Sequence, residues 1–184
     1  MRTYLCSLLM ALLAILLLTA AKRPPTQTTW VGLNDIQARC TFSLPENYST
    51  NSAEQTNAYV ATGKNVTFEA HFVKTSAVPN ISNQSVANTS PGDRYNQLVQ
   101  AAAQITGGQV QYQENWSING RSCREAHILF TDADNEQSRL FVLYVWVNEN
   151  LCSFSAIEKV TNGGSADSRP AAPVAVFFDS VQFY

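Results

Sequence analysis

The chain has 184 residues, of which 45% are hydrophobic and only 14% are charged. This composition supports one globular domain with a buried core and excludes an intrinsically disordered chain. Twelve basic and fourteen acidic residues give a net charge of −2 without any basic block, so we expect no nucleic-acid partner.

Residues 1–21 have the pattern of an export signal. Arg2 precedes an uncharged, leucine-rich stretch that ends in small residues suited to signal-peptidase cleavage. We therefore expect a signal peptide over residues 1–21, and a mature protein that is secreted or lies in the periplasm or cell envelope. Because the stretch is close to the roughly 20 apolar residues that span a bilayer, the alternative is an uncleaved N-terminal helix that anchors the domain at the membrane.

The cysteine count predicts at most one internal disulfide. Cleavage after residue 21 leaves Cys40, Cys123 and Cys152, and an oxidising compartment favours pairing of two of them. Their spacing does not show which two pair, so the third is expected to be a spare thiol.

Six Asn-x-Ser/Thr sequons occur along the chain. In a eukaryotic secretory pathway some would carry glycans, and we expect these on the cluster Asn80, Asn83 and Asn88, in a polar loop. In a bacterium the sequons have no such meaning, because a chain rich in Asn, Ser and Thr produces them by chance.

The segment after the leader predicts a linker and then a strand. Residues 22–35 contain two prolines and several threonines, which is typical of a linker, and one domain is expected over residues 36–184. A loosely alternating first strand is predicted over residues 36–44, ending at Pro45. Trp30, in the linker, is expected to be an exposed aromatic that touches a lipid headgroup layer or a partner.

Local signals then predict a hairpin and a helix. Residues 59–62 and 66–74 flank a Gly-Lys-Asn turn, and the apolar alternation in the second segment places one of its faces against the core. Ser90 is a helix N-cap because Pro91 follows it at the first helical position, and Gly107 ends the predicted helix.

Four strands with short connections follow and favour an antiparallel meander. They are predicted over residues 109–117, 121–130, 138–147 and 151–158. The third strand is apolar from Leu140 to Val147, so both of its faces should be covered. With a last helix from about Val174, the pattern predicts an α+β fold in which helices flank both faces of an antiparallel β-sheet, as an α/β/α sandwich.

Four segments of the domain together resemble the PsbP-like α/β/α sandwich family. They are Phe42-Ser43-Leu44-Pro45, the strand from Gly120 that contains Glu125, the Arg139-Leu140-Phe141-Val142 strand with its hairpin partner, and the closing Phe177-Phe178-Asp179-Ser180-Val181-Gln182-Phe183. The similarity covers residues 36–184. An extrinsic photosystem II subunit, a Ran-binding nuclear import factor and many small exported bacterial proteins share this fold, and the export signal makes the last group the nearest match.

The resemblance implies a scaffold that binds other proteins and is not used chiefly for catalysis. It transfers no metal ligands and no partner-contacting residues to this chain, because the matched residues are structural. We therefore expect no cofactor and a protein partner whose identity the residues do not give.

The residue types that carry catalysis are scarce. The only histidines, His71 and His127, both lie in predicted strands, which gives a Ser-His-acid triad no support from spacing. Cys123 and His127 are four residues apart, about 13 Å along a strand, which is too far to share a zinc ion. We therefore expect no catalytic residues and no metal site.

Asp132, Asp134 and Glu136 alternate as the first oxygen ligands of a calcium loop do. The pattern then fails, because Gln137 stands where the loop needs glycine and Leu143 where it needs an acid. We therefore expect a solvated hairpin tip.

These expectations combine into a non-enzymatic, exported PsbP-like domain that binds a protein partner at the cell envelope or outside the cell. The alternative is a carrier of a small apolar ligand or lipid, held between the sheet and a helix in an aromatic-rich interior. A hydrolase whose site the residues do not reveal is the third interpretation.

Overall fold

The computed structural model describes residues 28–53, 56–77, 90–160 and 170–184. The smaller of its two sheets contains β1 (Trp30–Asp35), β2 (Cys40–Pro45) and β10 (Gln182–Phe183), in the order β1-β2-β10. The larger sheet contains β3 (Ser49–Ala53), β4 (Thr56–Thr62), β5 (Val66–Lys74), β6 (Gln109–Ile118), β7 (Arg121–Thr131), β8 (Gln137–Val147) and β9 (Asn150–Lys159), in the order β3-β4-β5-β9-β8-β7-β6. The helices are α1 (Pro91–Thr106) and α2 (Ala172–Asp179), and a 3-10 turn spans Thr75–Ala77.

The predicted hairpin and meander are confirmed. β4 and β5 pair antiparallel across the Gly-Lys-Asn turn, and β6, β7, β8 and β9 pair antiparallel in succession. The tight connections use left-handed backbone, at Asn119 (φ 50°) and Gly120 (φ 77°) after β6 and at Asn148 (φ 55°) after β8. β5 also pairs with β9, which joins the early hairpin to the meander in one sheet.

The boundaries of α1 are those that the sequence predicts. The Ser90 hydroxyl accepts a hydrogen bond from the backbone nitrogen of Asp93 at 3.2 Å, and Gly107 ends the helix in left-handed conformation, at φ 63°. Tyr95 and Val99 of α1 are buried against the larger sheet. Within the described ranges, neither helix has the length and apolar character needed to cross a membrane.

The predicted arrangement, with helices on both faces of one sheet, is wrong. α1 covers one face of the larger sheet, but the smaller sheet covers the opposite face, with the eight-residue α2 packed beside it. Phe42 of β2 contacts Phe72 and Phe154 of the larger sheet, with ring centroids 5.6 Å apart in both pairs. The described chain is therefore mostly strand, in two packed sheets, and is not a single sheet between helical layers.

The second sheet exists because residues expected to form a linker form a strand. β1 begins at Trp30, inside the 22–35 segment, and a turn divides the expected 36–44 strand before β2 begins. Asp35 is 3% exposed and accepts a hydrogen bond from the backbone nitrogen of Ala38 at 2.9 Å. This bond fixes the turn and lets β1 and β2 pair as a hairpin.

Aromatic rings fill the space between the two sheets. Trp30 is half-buried with its ring edge-on to Phe68 at 5.4 Å, so it is not the exposed linker aromatic that we expected. Phe154 lies among Phe42, Phe72 and other rings of the cluster, at the centroid distances typical of edge-to-face packing.

Replacing Phe42 with alanine should lower the free energy of unfolding by about 3–5 kcal/mol, because it leaves a cavity between the sheets. The matched control is Ile105→Ala, at a side chain that is 86% exposed, where we expect a change below about 0.5 kcal/mol. Urea denaturation followed by circular dichroism measures both changes. Equal losses from the two substitutions would contradict the packing of the smaller sheet on the larger one.

Candidate functional site

The two histidines lie on opposite faces of the larger sheet. The strand pairing places His71 on the same face of the larger sheet as Tyr144, beneath α1. It places His127 on the same face as Phe141, toward the smaller sheet. His71 lies 3.2 Å from Glu69, and this hydrogen bond lowers the pKa of the Glu69 carboxyl. Because the sheet separates the two imidazoles, they form no common site.

His127 is a packed side chain. It is 5% exposed and lies against the rings of Tyr112 and Phe141, at centroid distances of 4.6 and 4.7 Å. Its Nε2 lies 2.7 Å from Glu125 Oε1, and its buried Nδ1 has no hydrogen-bond partner in the described part of the chain. The neighbouring rings leave little of the imidazole for a substrate.

The acidic hairpin tip bonds to itself. The Asp132 carboxylate accepts hydrogen bonds from the backbone nitrogens of Asp134 and Glu136, at 3.0 and 2.9 Å, and these bonds lower its pKa. Lys159 donates to Glu136 at 2.7 Å. Among the residues that the structure describes, no three His, Cys, Asp or Glu side chains are placed to hold a metal ion.

Cys40, Cys123 and Cys152, two of which were expected to form a disulfide, are buried free thiols in this structure. Cys123 pairs with Val145, which pairs with Cys152, so two strand spacings of about 4.8 Å separate the two cysteine Cα atoms. This separation exceeds the limit of about 7 Å for a disulfide. Burial raises the pKa of the Cys40 thiol to about 12 and that of Cys123 to about 11, and it also raises the pKa of Cys152.

Two groups of predicted features lie outside the described residues. One is the sequon cluster Asn80, Asn83 and Asn88, and the other is the export signal over residues 1–21. Both stay predictions.

A pocket of about 320 Å³ lies where the β6–β7 turn meets the first turn of α1 and the end of β8. We call it the arginine pocket, and its lining residues are Arg94, Tyr95, Gly120, Arg121, Ser122 and Trp146. Three separate segments of the chain supply these residues, so no local motif marked them in the sequence.

Tyr95 fixes the wall of the arginine pocket. Its hydroxyl donates a hydrogen bond to the Ser122 carbonyl at 2.8 Å and accepts one from the backbone nitrogen of Trp146 at 3.3 Å. The Tyr95 and Trp146 rings are 5.4 Å apart, and the indole nitrogen donates to Thr75 Oγ1 at 3.3 Å. Burial raises the pKa of the Tyr95 hydroxyl.

The β6–β7 turn places Arg121 at the start of β7, on the same face as Cys123, toward the smaller sheet. Gly120 has a left-handed conformation, with φ 77°, that other residues rarely adopt. The Asn119 side chain donates to the Phe183 carbonyl at 2.8 Å, which ties the turn to β10. Arg121 donates to the Tyr184 carbonyl at 3.4 Å.

A third arginine lies behind the pocket. Arg124 follows Ser122 by two positions, on the same face of β7, and is 6% exposed. It donates to the amide oxygens of Asn115, Asn96 and Gln113, at 2.6, 2.9 and 3.2 Å. These acceptors are neutral, and the described residues place no carboxylate at ion-pair distance from Arg124. Its guanidinium is therefore hydrogen-bonded, but its positive charge is not neutralised by an ion pair.

Comparison with known proteins finds similarity at the level of the fold. The Ran-binding protein Mog1p of Saccharomyces cerevisiae superposes with a TM-score of 0.53 at 8% identity, over 85% of this chain and 96% of Mog1p. The cyanobacterial PsbP of Synechocystis sp. PCC 6803 superposes with a TM-score of 0.56 at 8% identity, over 90% of this chain and 99% of PsbP. No family model matches the sequence, and no curated protein matches it.

These likenesses confirm the fold part of the predicted resemblance. The chain has the fold of PsbP and Mog1p, although its layers are not the helix-sheet-helix sandwich that we expected. At 8% identity the similarity carries no residue roles to this chain.

Replacing Tyr95 with phenylalanine should lower the free energy of unfolding by about 1–3 kcal/mol, because a buried carbonyl and a backbone N–H lose their partner. The control is Tyr184→Phe, whose half-exposed hydroxyl bonds only to Asn34 on the surface and should cost about 0.5 kcal/mol or less. Urea denaturation of both variants gives the comparison. A smaller loss for the Tyr95 variant than for the Tyr184 variant would show that Tyr95 does not fix the wall.

Cys40, Cys123 and Cys152 should resist alkylation in the folded protein at pH 8. Their pKa values lie above that pH, so the nucleophilic thiolate is scarce, and burial excludes the reagent. After denaturation without a reductant, all three should react, as counted by the mass added per chain. If one alone reacted, the other two would form the disulfide that the sequence predicts.

Proposed function

We propose that the chain is an exported, non-enzymatic PsbP-like domain that binds a protein partner at the cell envelope or outside the cell. The observation that carries the proposal is the arginine pocket, a recess whose lining residues include two arginines and a tryptophan. Such a recess offers recognition groups, and its lining contains no histidine, acid or cysteine that could act as a base or nucleophile.

The fold neighbours support a binding role. Mog1p is named for binding Ran, and it covers nearly the whole domain described here. A binding role needs a stable scaffold with a surface recess, and the packed sheets provide one. The neighbours' own partners do not carry over, because the identity of 8% transfers a fold and no contact residues.

Enzymatic function has less support from the arrangement of the chain. His71 and His127 each hydrogen-bond a glutamate and lie on opposite faces of the sheet. The described cysteine thiols are buried with raised pKa values, which is the reverse of a reactive thiolate. The carrier alternative has no specific support either, because Phe42, Phe154 and the other rings of the interior contact one another.

The proposal is tested by capturing the partner from the native envelope and secreted fractions. Wild-type protein should retain one specific polypeptide, and Arg121→Glu should retain at least about tenfold less, because it reverses the charge of a residue on the lining of the pocket. The control is Lys64→Glu, which makes the same charge change in the β4–β5 turn, at the opposite end of the larger sheet.

Quantitative mass spectrometry of the retained material gives the three amounts, and thermal unfolding of each variant checks that it is folded. Retention of no specific polypeptide by the wild-type protein would contradict the binding function. Equal retention by the three proteins would show that the arginine pocket takes no part in binding the partner.

A further inference from the structure

We infer that the outer edge of β6 binds an extended segment of a partner protein as an added antiparallel strand, in which a lysine or arginine stands between two apolar residues. This surface is separate from the arginine pocket, and the inference shares with the proposed function only the premise of a protein partner. Three properties of β6 carry it: its open backbone edge, its exposed aromatic side chains and the pair of carboxylates on one of its faces.

The outer edge of β6 is open along a regular stretch of strand. β6 has 10 residues and ends the larger sheet, and within the described ranges no strand pairs with its outer side. Proteins commonly protect such an edge with lysine, proline, a bulge or a very short strand. β6 contains no lysine or proline, and its register shift lies between Val110 and Tyr112. Residues 112–118 therefore form an uninterrupted edge that another strand can join.

The turn after β6 determines which of its backbone groups point outward. Asn119 and Gly120 both have positive φ, as in a two-residue type I′ turn, and such a turn makes the flanking Ile118 and Arg121 a hydrogen-bonded pair. Hydrogen-bonded and non-hydrogen-bonded pairs alternate along antiparallel strands. The backbone N–H and C=O groups that point to the open edge are therefore those of Gln113, Asn115 and Ser117.

Two aromatic side chains lie beside this edge. Trp116 is 43% exposed, and Tyr112 is half-buried against the ring of His127. Each is two residues from Glu114, so the three side chains form a row on the face directed toward the smaller sheet. Residues of an added strand opposite Tyr112 and Trp116 would meet these rings as cross-strand pairs. The rings therefore favour apolar residues at those two positions of the partner.

Between the two rings the surface is acidic. Glu114 stands directly opposite Glu125 of β7, and like charges in that arrangement destabilise a sheet. Glu114 accepts a hydrogen bond from the Tyr112 hydroxyl, and Glu125 bonds to His127. The described residues place no lysine or arginine at ion-pair distance from either carboxylate. A basic residue opposite Glu114 on an added strand supplies the positive charge that this face lacks.

A second copy of this chain fits the edge less well than a basic segment does. β6 contains no lysine or arginine, so a copy that paired its own β6 here would bring two more carboxylates to the face and no cation. The charge of the face therefore selects a segment of another protein, in which one basic residue has an apolar residue two positions before it and another two positions after it.

The test titrates the protein purified from its host with short peptides. The first probe is acetyl-Thr-Val-Thr-Arg-Thr-Val-Thr-amide. We expect it to shift the indole N–H resonance of Trp116, assigned with Trp116→Phe, in a saturable way, and to slow hydrogen exchange at the outward N–H groups of Gln113, Asn115 and Ser117. The same peptide with citrulline for arginine should bind at least about tenfold more weakly, because it keeps the shape and loses the charge.

Methylated peptides separate strand pairing from contact of side chains alone. The two threonines beside the arginine would lie opposite Gln113 and Asn115, so methylating their backbone nitrogens removes hydrogen bonds to β6 and should weaken binding at least about tenfold. The matched control is methylated at the backbone nitrogens of the two valines. These nitrogens point away from β6, so this peptide should bind like the unmethylated one.

A charge exchange in the chain locates the binding. Glu114→Lys should weaken the arginine peptide at least about tenfold, and it should bind the same peptide with glutamate for arginine more tightly than the wild-type chain does. Glu46→Lys, at an exposed position after β2, is the matched control and should bind the arginine peptide like the wild-type chain. Thermal unfolding shows whether each variant is folded, and the comparisons between peptides need no variant.

Four outcomes would overturn the inference. They are the absence of a saturable shift, equal binding of the arginine and citrulline peptides, equal binding of the two methylated peptides, and slower exchange of the outward N–H groups at high protein concentration without peptide, which would assign the edge to a second copy. Failure of the partner capture together with saturable peptide binding would contradict only the proposed function. Capture that depends on Arg121, without peptide binding, would contradict only the inference about β6.

Discussion

The architecture depends on one constraint, which is that the strand β8 is apolar on both faces. Phe141 and Val145 point into the core between the two sheets, while Leu140 and Val142 point into the core beneath α1. A strand of this kind is stable only if each face of its sheet is covered by another layer. The chain supplies two different covers, a helix on one face and a second sheet on the other, and the arginine pocket lies at the edge of the helical cover.

How much of this the sequence predicts depends on the range of the interaction. The hairpin turn at residues 63–65, the Ser90 N-cap and the Gly107 C-cap were predicted correctly, because each signal lies within a few residues of the element that it controls. The second sheet was missed because the segment expected to be a linker forms β1, and because β10 pairs with β2 from the other end of the domain, which no local pattern records.

The candidate site was missed for a related reason. Sequence reasoning weighs the residue types that perform chemistry, and these were the histidines, the cysteines and the acidic hairpin tip. In the structure His71 bonds to Glu69, Lys159 bonds to Glu136 at the hairpin tip, and the described cysteines are buried free thiols, so none of these groups forms a site. The pocket instead joins Arg94 to Arg121 across a helix and a strand, where each arginine alone has the pattern of an ordinary surface residue.

The pocket and the smaller sheet are linked through the end of the chain. Asn119, in the turn before Arg121, hydrogen-bonds the Phe183 carbonyl of β10, and Arg121 itself reaches the Tyr184 carbonyl. The backbone nitrogen of Tyr184 in turn donates to the Arg39 carbonyl at 3.1 Å, beside β2. The end of the chain, which joins β2 in the smaller sheet, therefore also fixes the turn that carries Arg121. Because this contact joins residues far apart in the sequence, the geometry of the pocket is complete only when the whole domain is folded.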